Sequence, residues 1–285
     1  MTENILFLHP NEIDSATLSG GSWESAAPLT EIQDRILGRR ARSTSLSTTA
    51  TTVDIDLDRA VEVKGVAVVG HNIRTESNWR VEGFSDSGRT SQVYDSGFVK
   101  AWQSPDDVNR DWDDPDYPTG RPRSGDLVDI SWPLVHPITA GQSAKYWTVT
   151  FDDPSNGNGF LEIGRIVIAY GWQAPINFTS GASEGWQDDS EVVQAFSGTE
   201  FFREKIAFRR FSGSIEMLDK DPAFGRVHEL LRRAKKTREI MVIPEPDDST
   251  HINRRSFLAR MTDLSTLERQ APDFSNASFN LKEIR

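Results

Sequence analysis

The chain has 285 residues, of which 36% are hydrophobic and 26% charged, with 8 Trp and 15 Phe, an apolar and aromatic content that disordered chains lack. Its 43 acidic against 32 basic side chains give a formal net charge of −11, which argues against a protein that holds nucleic acid through phosphate contacts. It has no Cys, which excludes disulfides, thiolate metal sites and thiol nucleophiles, and no run approaches the ~18 apolar residues of a membrane-spanning helix. Residues 1–10 lack the basic start of a secretory leader, so a soluble chain unprocessed at its start is expected.

The early elements are short and extended. Residues 29–37 are the one helical candidate of the first part, with Thr30 as cap and Ile32, Ile36 and Leu37 on one face. In residues 51–57, Val53, Ile55 and Leu57 alternate with Asp54 and Asp56, the pattern of a half-buried strand. Residues 62–69 end in an apolar run bounded by Gly70, and residues 79–84 (WRVEGF) alternate again before a polar turn. Further strands are expected over 126–132, 146–151 and 161–170, with the turn residues Asn156-Gly157-Asn158-Gly159 read as a hairpin. Short strands punctuated by Gly, Pro, Asn and Asp favour an antiparallel β-sandwich.

Charge and texture change near Ala174-Pro175. Residues 1–170 hold 25 acidic and 15 basic side chains, whereas residues 171–285 hold 18 and 17. A first domain over 1–174 and a second over 175–285 follow. In the second, strands are expected over 200–211 and 212–218, the latter with Ile215 and Met217 on one face. Residues 221–236 then take a helical period, with Asp221 as cap, Pro222 in the first turn, Phe224, Val227, Leu230 and Leu231 as an apolar stripe, and basic residues in the last turns. Residues 239–243, 256–264 and 275–284 read as closing strands.

The search for catalytic chemistry is negative. None of His9, His71, His136, His228 and His251 lies in HExxH or H-x-H spacing, no GxSxG or Walker motif is present, and His136 beside Pro137 suits an exposed turn. No cofactor and no catalytic residue is predicted. The acidic run 106–116 has six Asp but lacks the central Gly and terminal Glu of an EF-hand, so calcium there stays an open alternative to a solvated loop. Trp102, Trp112 and Tyr117, with Arg110 among them, form the candidate glycan contact, because ring faces stack on sugar C–H groups while polar groups take hydroxyls. The structural reading of the same rings, that they seal a sandwich edge, stands ahead of the glycan one.

The order strand, Gly70-His71-Asn72, then Trp79-Arg80-Val81 through Phe84-Ser85-Asp86 resembles the galactose-binding-like, discoidin-type jelly-roll domains of bacteriophage tail proteins, and LEIGRIVIAYGWQ resembles their final strand. By the residues alone, the GHN turn has a structural reading, in which the His or Asn side chain satisfies turn backbone. The segments SGSIEMLDKDPAFGRVHELLRRAKK and SFLARMTDLSTLERQAPDFSNASFNLKEI resemble tail components with a tail-tube-like split β-barrel, in which a flanking helix packs on strands carrying Phe257, Leu258, Met261, Phe279, Leu281 and Ile284. The order of the two parts is the reverse of that common in distal tail proteins.

The resemblance implies a mainly β, non-enzymatic virion protein of a tail tip or baseplate, made in the host cytoplasm and assembled at the distal end of the tail. It would form a ring, hexameric or trimeric, against tail-tube and hub proteins. Arg203, Lys205, Arg209, Arg210, Arg232 and Arg233 are the candidate ring contacts to acidic neighbours. The alternatives are a glycan-binding lectin acting on host surface sugar and, with no favoured acid pair, a glycan hydrolase. Neither nucleic-acid recognition nor a membrane span is expected.

Overall fold

The computed structural model describes residues 3–103, 127 and 132–285, and the chain packs as two compact units. The first comprises Met1–Gln173 and Ile240–Leu258, the second Ala174–Glu239 and Ala259–Arg285. Residues 240–258, expected in the second domain, therefore belong with the first unit.

The strands of the first unit are, in chain order, β1 (Leu6–Leu8), β2 (Thr17–Ser19), β3 (Ala41–Arg42), β4 (Thr52–Val69), β5 (Asn78–Phe84), β6 (Gln92–Asp95), β7 (Val99–Lys100), β8 (Leu134–Asp152), β9 (Glu162–Ile163), β10 (Arg165–Ala169) and β11 (Trp172–Gln173). The main antiparallel sheet runs β10-β4-β8-β5-β6, with β2 on β4 and β7 on β5. The two strands expected over 51–57 and 62–69 are one strand, β4, whose register against β8 shifts between Asp56 and Val61 and again between Val63 and Gly65. Bulges let one long strand change face without ending, so a break in alternation reads from sequence as two strands. Val53, Ile55, Trp79, Val81, Trp147 and Val149 all belong to one buried cluster, which Ile13 and Ile32 of two 3-10 turns and Ile163 of the β3–β9 pair complete. The fold is thus a mainly β, antiparallel sandwich.

Several local expectations change. Residues 29–37 form a 3-10 turn, Leu29–Gln33, at whose start Pro28 and not Thr30 stands, and Ile36 is exposed. The NGNG segment does turn, with Gly159 N–H donating to Asn156 C=O, yet it joins β8 to β9, which do not pair with each other. The strand expected over 126–132 lies outside the described residues except for Leu127 and Trp132, both buried.

The second unit opens with β12 (Ser183–Gln187), β13 (Glu191–Gln194), β14 (Glu200–Arg203) and β15 (Phe208–Asp219). A helical segment follows, a π turn over Pro222–Val227 leading into α1 (His228–Ala234). The chain then supplies β16 (Ile240–Ile243), which pairs with β1 in the first unit, and the short α2 (Ile252–Arg255). It re-enters the second unit within β17 (Phe257–Met261) and ends with β18 (Glu268–Arg269) and β19 (Phe274–Glu283). Within this unit β12 pairs with β15, β15 with β19, and β19 with both β17 and β18. This path is open, and no closed barrel forms among the described residues.

Two side-chain assignments shift by one residue here. In β15 a bulge between Ile215 and Leu218 places Met217 at φ 56°, half-exposed, and puts Leu218 in the core in its place. In the helical segment, His228 N–H reaches back five residues to Ala223 C=O. That extra residue per turn rotates the inward face, so Ala223, Val227, Leu230 and Ala234 are buried while Phe224, expected inside, is exposed.

Candidate functional site

The GHN turn performs the structural role open to it. Gly70 takes φ +69°, where a Cβ would be strained. Asn72 then stitches the turn to β9, its Oδ1 accepting from Glu162 N–H at 2.7 Å and its Nδ2 donating to Phe160 C=O at 3.0 Å. Ile73 N–H donates to His71 Nδ1 at 3.2 Å, and the imidazole stands edge-on to Trp132 with ring centres 4.6 Å apart. Burial pushes the His71 pKa down to about 3, so the ring is a neutral acceptor.

Of the candidate glycan contacts, Trp102 is corrected by the structure. It is 1% exposed, edge-on to Trp132 at 5.3 Å, with the Arg254 guanidinium 5.6 Å from its ring centre. Its faces are spent on packing and offer nothing to a sugar. Arg110, Trp112 and Tyr117, and the acidic run 106–116, lie outside the described residues. Among the described residues no three His, Asp or Glu side chains gather as a metal set would.

His136 is not in an exposed turn. It lies in β8, its Nε2 2.6 Å from the Tyr94 hydroxyl, and burial pushes its pKa down to about 4. It borders an open groove of about 450 Å³ on the first unit, whose polar lining includes Lys100, Gln103, Thr139, Asp247 and Ser249. Sequence reasoning missed this groove because its residues come from four distant segments, none of which carries a motif. A donor and acceptor set of this kind suits hydroxyl-rich ligands.

The six basic residues proposed for a ring are distributed differently from one another. Arg209 is buried, its Nε donating to Glu283 Oε1 at 2.9 Å and its backbone N–H to Glu283 Oε2 at 2.8 Å, so it is a core ion pair and not a surface contact. Desolvation pulls its pKa down while Glu283 opposes that shift. Arg210, one residue on and therefore on the opposite face of β15, lines an open groove of about 740 Å³ with Trp186, Phe211, Thr262 and Asn280. Arg232 and Arg233 are exposed on α1 and both bond Glu229, whose pKa they hold down at about 2. Arg203 and Lys205 are exposed and both meet Glu191, at 3.6 and 2.8 Å.

Those last two residues belong to the feature that sequence reasoning did not single out. Among the described residues β13 and β14 pair only with each other, with Val192 opposite Phe202 and Val193 opposite Phe201. Neighbouring positions of a strand face opposite ways, so each pair lies on a different face and both faces are apolar. Val192, Val193, Phe201 and Phe202 are 60–67% exposed, and Phe196 at the tip is fully exposed. The tip is closed by Ala195 N–H donating to Thr199 C=O at 2.8 Å, with Gly198 at φ +87°. An isolated two-stranded ribbon with two bare apolar faces is at best marginal in water, and such patches mark sites of association. The sequence signal was present as VVQAF and FF within the eleven residues 192–202, but it reads equally as buried strand.

No protein-family model matches the sequence, and no curated protein matches it. Among solved structures it is similar to the family 32 carbohydrate-binding module of C. perfringens NanJ in complex with galactose, at 12% identity over 57% of this chain and 98% of that one, TM-score 0.37. It is also similar to CBM32-1 of a Clostridium perfringens family 31 glycoside hydrolase, at 11% identity over 56% and 96% of the two chains, TM-score 0.35. The CBM32 of AlyQ in complex with 4,5-unsaturated mannuronic acid gives 14% identity over 54% and 94%, TM-score 0.34. At these identities and scores the likenesses carry no inference about what the present chain binds.

Proposed function

We propose that the chain is a structural assembly subunit, in which the second unit docks on protein and the first is a displayed β-sandwich, in keeping with the resemblance to tail-tip and baseplate components. The observation that carries this reading is the β13–β14 ribbon, whose apolar faces are a poor solution for a chain that stays alone. Burying five large side chains against another protein removes them from water and gives the ribbon the third layer that it lacks. The test is immunolabelling of particles from the source of the gene, viewed by electron microscopy. Label at the distal end of a tail is expected, and particles without label would overturn the reading.

A second reading, that the sandwich itself takes up a glycan, is favoured by the polar groove beside His136. Titration of the purified chain with host polysaccharide by calorimetry tests it. Binding that is lost in Lys100→Ala with Gln103→Ala supports the reading, and binding unchanged in that pair removes the groove from it.

A further inference from the structure

Two surfaces of the second unit carry opposite charge. The ribbon with its flanks, residues 188–206, has five acidic and two basic side chains, net −3. Glu191 occupies both of the basic ones, so Glu200 and Glu204 have no ion-pair partner among the described residues. The helical segment, residues 220–238, has seven basic and two acidic side chains, net +5. Arg232 and Arg233 share Glu229 and Lys236 meets Asp263 at 3.1 Å, while Lys220, Lys235 and Arg238 have no ion-pair partner among the described residues. Each surface also presents exposed hydrophobics: Phe196, Phe201 and Phe202 on the ribbon, Phe224 on the π turn, and Leu264 beside Asp263.

We infer that the partner of the ribbon is a second copy of this chain, and that the ribbon of one copy seats on the helical segment of the next. This rests on the reading of the second unit as an assembly surface and names what covers it. Ribbon against ribbon would oppose net −3 to −3, and helix against helix +5 to +5, so neither patch suits pairing with its own kind. Ribbon against helix joins opposite charges, which fix the approach and register, while the phenylalanines supply the area removed from water. Because the two patches differ, every copy offers both halves of the contact, which two copies make reciprocally about a two-fold axis or a series makes head-to-tail. In the head-to-tail series each added copy leaves one patch of each kind open until the series closes as a ring or continues as a filament. The same contact explains why basic residues gather on an exposed helix of a chain that is acidic as a whole.

The test is the mass of the purified full chain by light scattering across concentration, at low and at high salt. Dimers or larger assemblies are expected at low salt, shifting toward monomer as salt screens the charges. Glu200→Lys with Glu204→Lys, or Lys235→Glu with Arg238→Glu, is expected to weaken association at least about tenfold, and an equimolar mixture of the two variants to recover it at the contact joining unlike copies. All four positions are solvent-facing, so circular dichroism unchanged from the parent separates lost association from lost fold. A chain that is monomeric at every concentration, or variants whose mixture recovers nothing, would overturn self-docking. If that monomer is nevertheless labelled at the tail tip, the ribbon's partner is a different protein and the assembly reading stands. A monomer with no label overturns both.

Discussion

At the scale of single residues, the buried polar groups of this protein are structural, and each makes a prediction. Glu283 lies in the second-unit core with Arg209 on one side and Arg285 Nε at 3.2 Å on the other. Replacing it by Ala removes the buried carboxylate that Arg209 bonds twice, and a loss of about 3–5 kcal/mol in urea unfolding is expected. Arg203→Ala, at an exposed ion pair, is expected to stay within about 0.5 kcal/mol. His136 and His71 are held neutral by burial, with pKa values of about 4 and about 3 against 6.5 for the free side chain. Between pH 6.5 and about 4 the unfolded chain binds protons that the folded chain refuses, so stability falls as the pH is lowered through that window and is indifferent to these groups above it. Melting temperature against pH checks the sign, and His136→Asn is expected to flatten the slope. None of this was legible in sequence, where His136 beside Pro137 reads as a turn. What buries it is β5 and β6, which supply Trp79 and Tyr94 from more than forty residues away.

At the scale of elements, period told type but not phase. The helix over 221–236 is present as Pro222–Ala234, and the strands over 79–84 and 275–284 lie close to where alternation put them. Phase failed wherever a residue is inserted: at the β15 bulge, which exchanges Met217 for Leu218, and in the π turn, which turns Phe224 out and Ala223 in. An insertion leaves no mark on composition, because its cost is offset by contacts made elsewhere in the fold. Leu230→Ala is therefore expected to cost about 2–5 kcal/mol, and Phe224→Ser to stay within about 0.5 kcal/mol, in chemical denaturation of the full chain. A loss of comparable size from Phe224→Ser would restore the unshifted stripe of Phe224, Val227, Leu230 and Leu231 as the inward face.

At the scale of the whole molecule, the decisive finding is that the first unit is not continuous in sequence. Residues 240–258 return to it, with β16 completing a pair with β1 and Asn253 donating to Ala101 C=O at 3.0 Å and Pro133 C=O at 2.9 Å while accepting from Gln103 N–H at 2.8 Å. A fragment ending at residue 174 loses that strand partner and orphans two buried carbonyls and the half-buried Gln103 N–H, the buried groups each worth about 1–3 kcal/mol. It is expected to melt well below the full chain, and joining residues 240–258 to it through a flexible linker to recover most of the loss. Equal melting temperatures for the two fragments would show that the segment contributes nothing to the first unit.

Taken by itself, the amino-acid sequence determined the class of the protein: mainly β, acidic in its first part, without cysteine chemistry, with one amphipathic helix flanked by strands and a GHN turn whose side chains serve the backbone. These are properties of neighbours in the chain, and hydrophobic period and turn chemistry encode them directly. Only the tertiary structure decided that Trp102 and Arg209 are interior, that a polar groove gathers around His136, that residues 240–258 serve the first unit, and that the β13–β14 ribbon is left bare. Each of these depends on which distant segment comes to lie against a residue, and a valine or phenylalanine reads the same in the chain whether another strand covers it or nothing does.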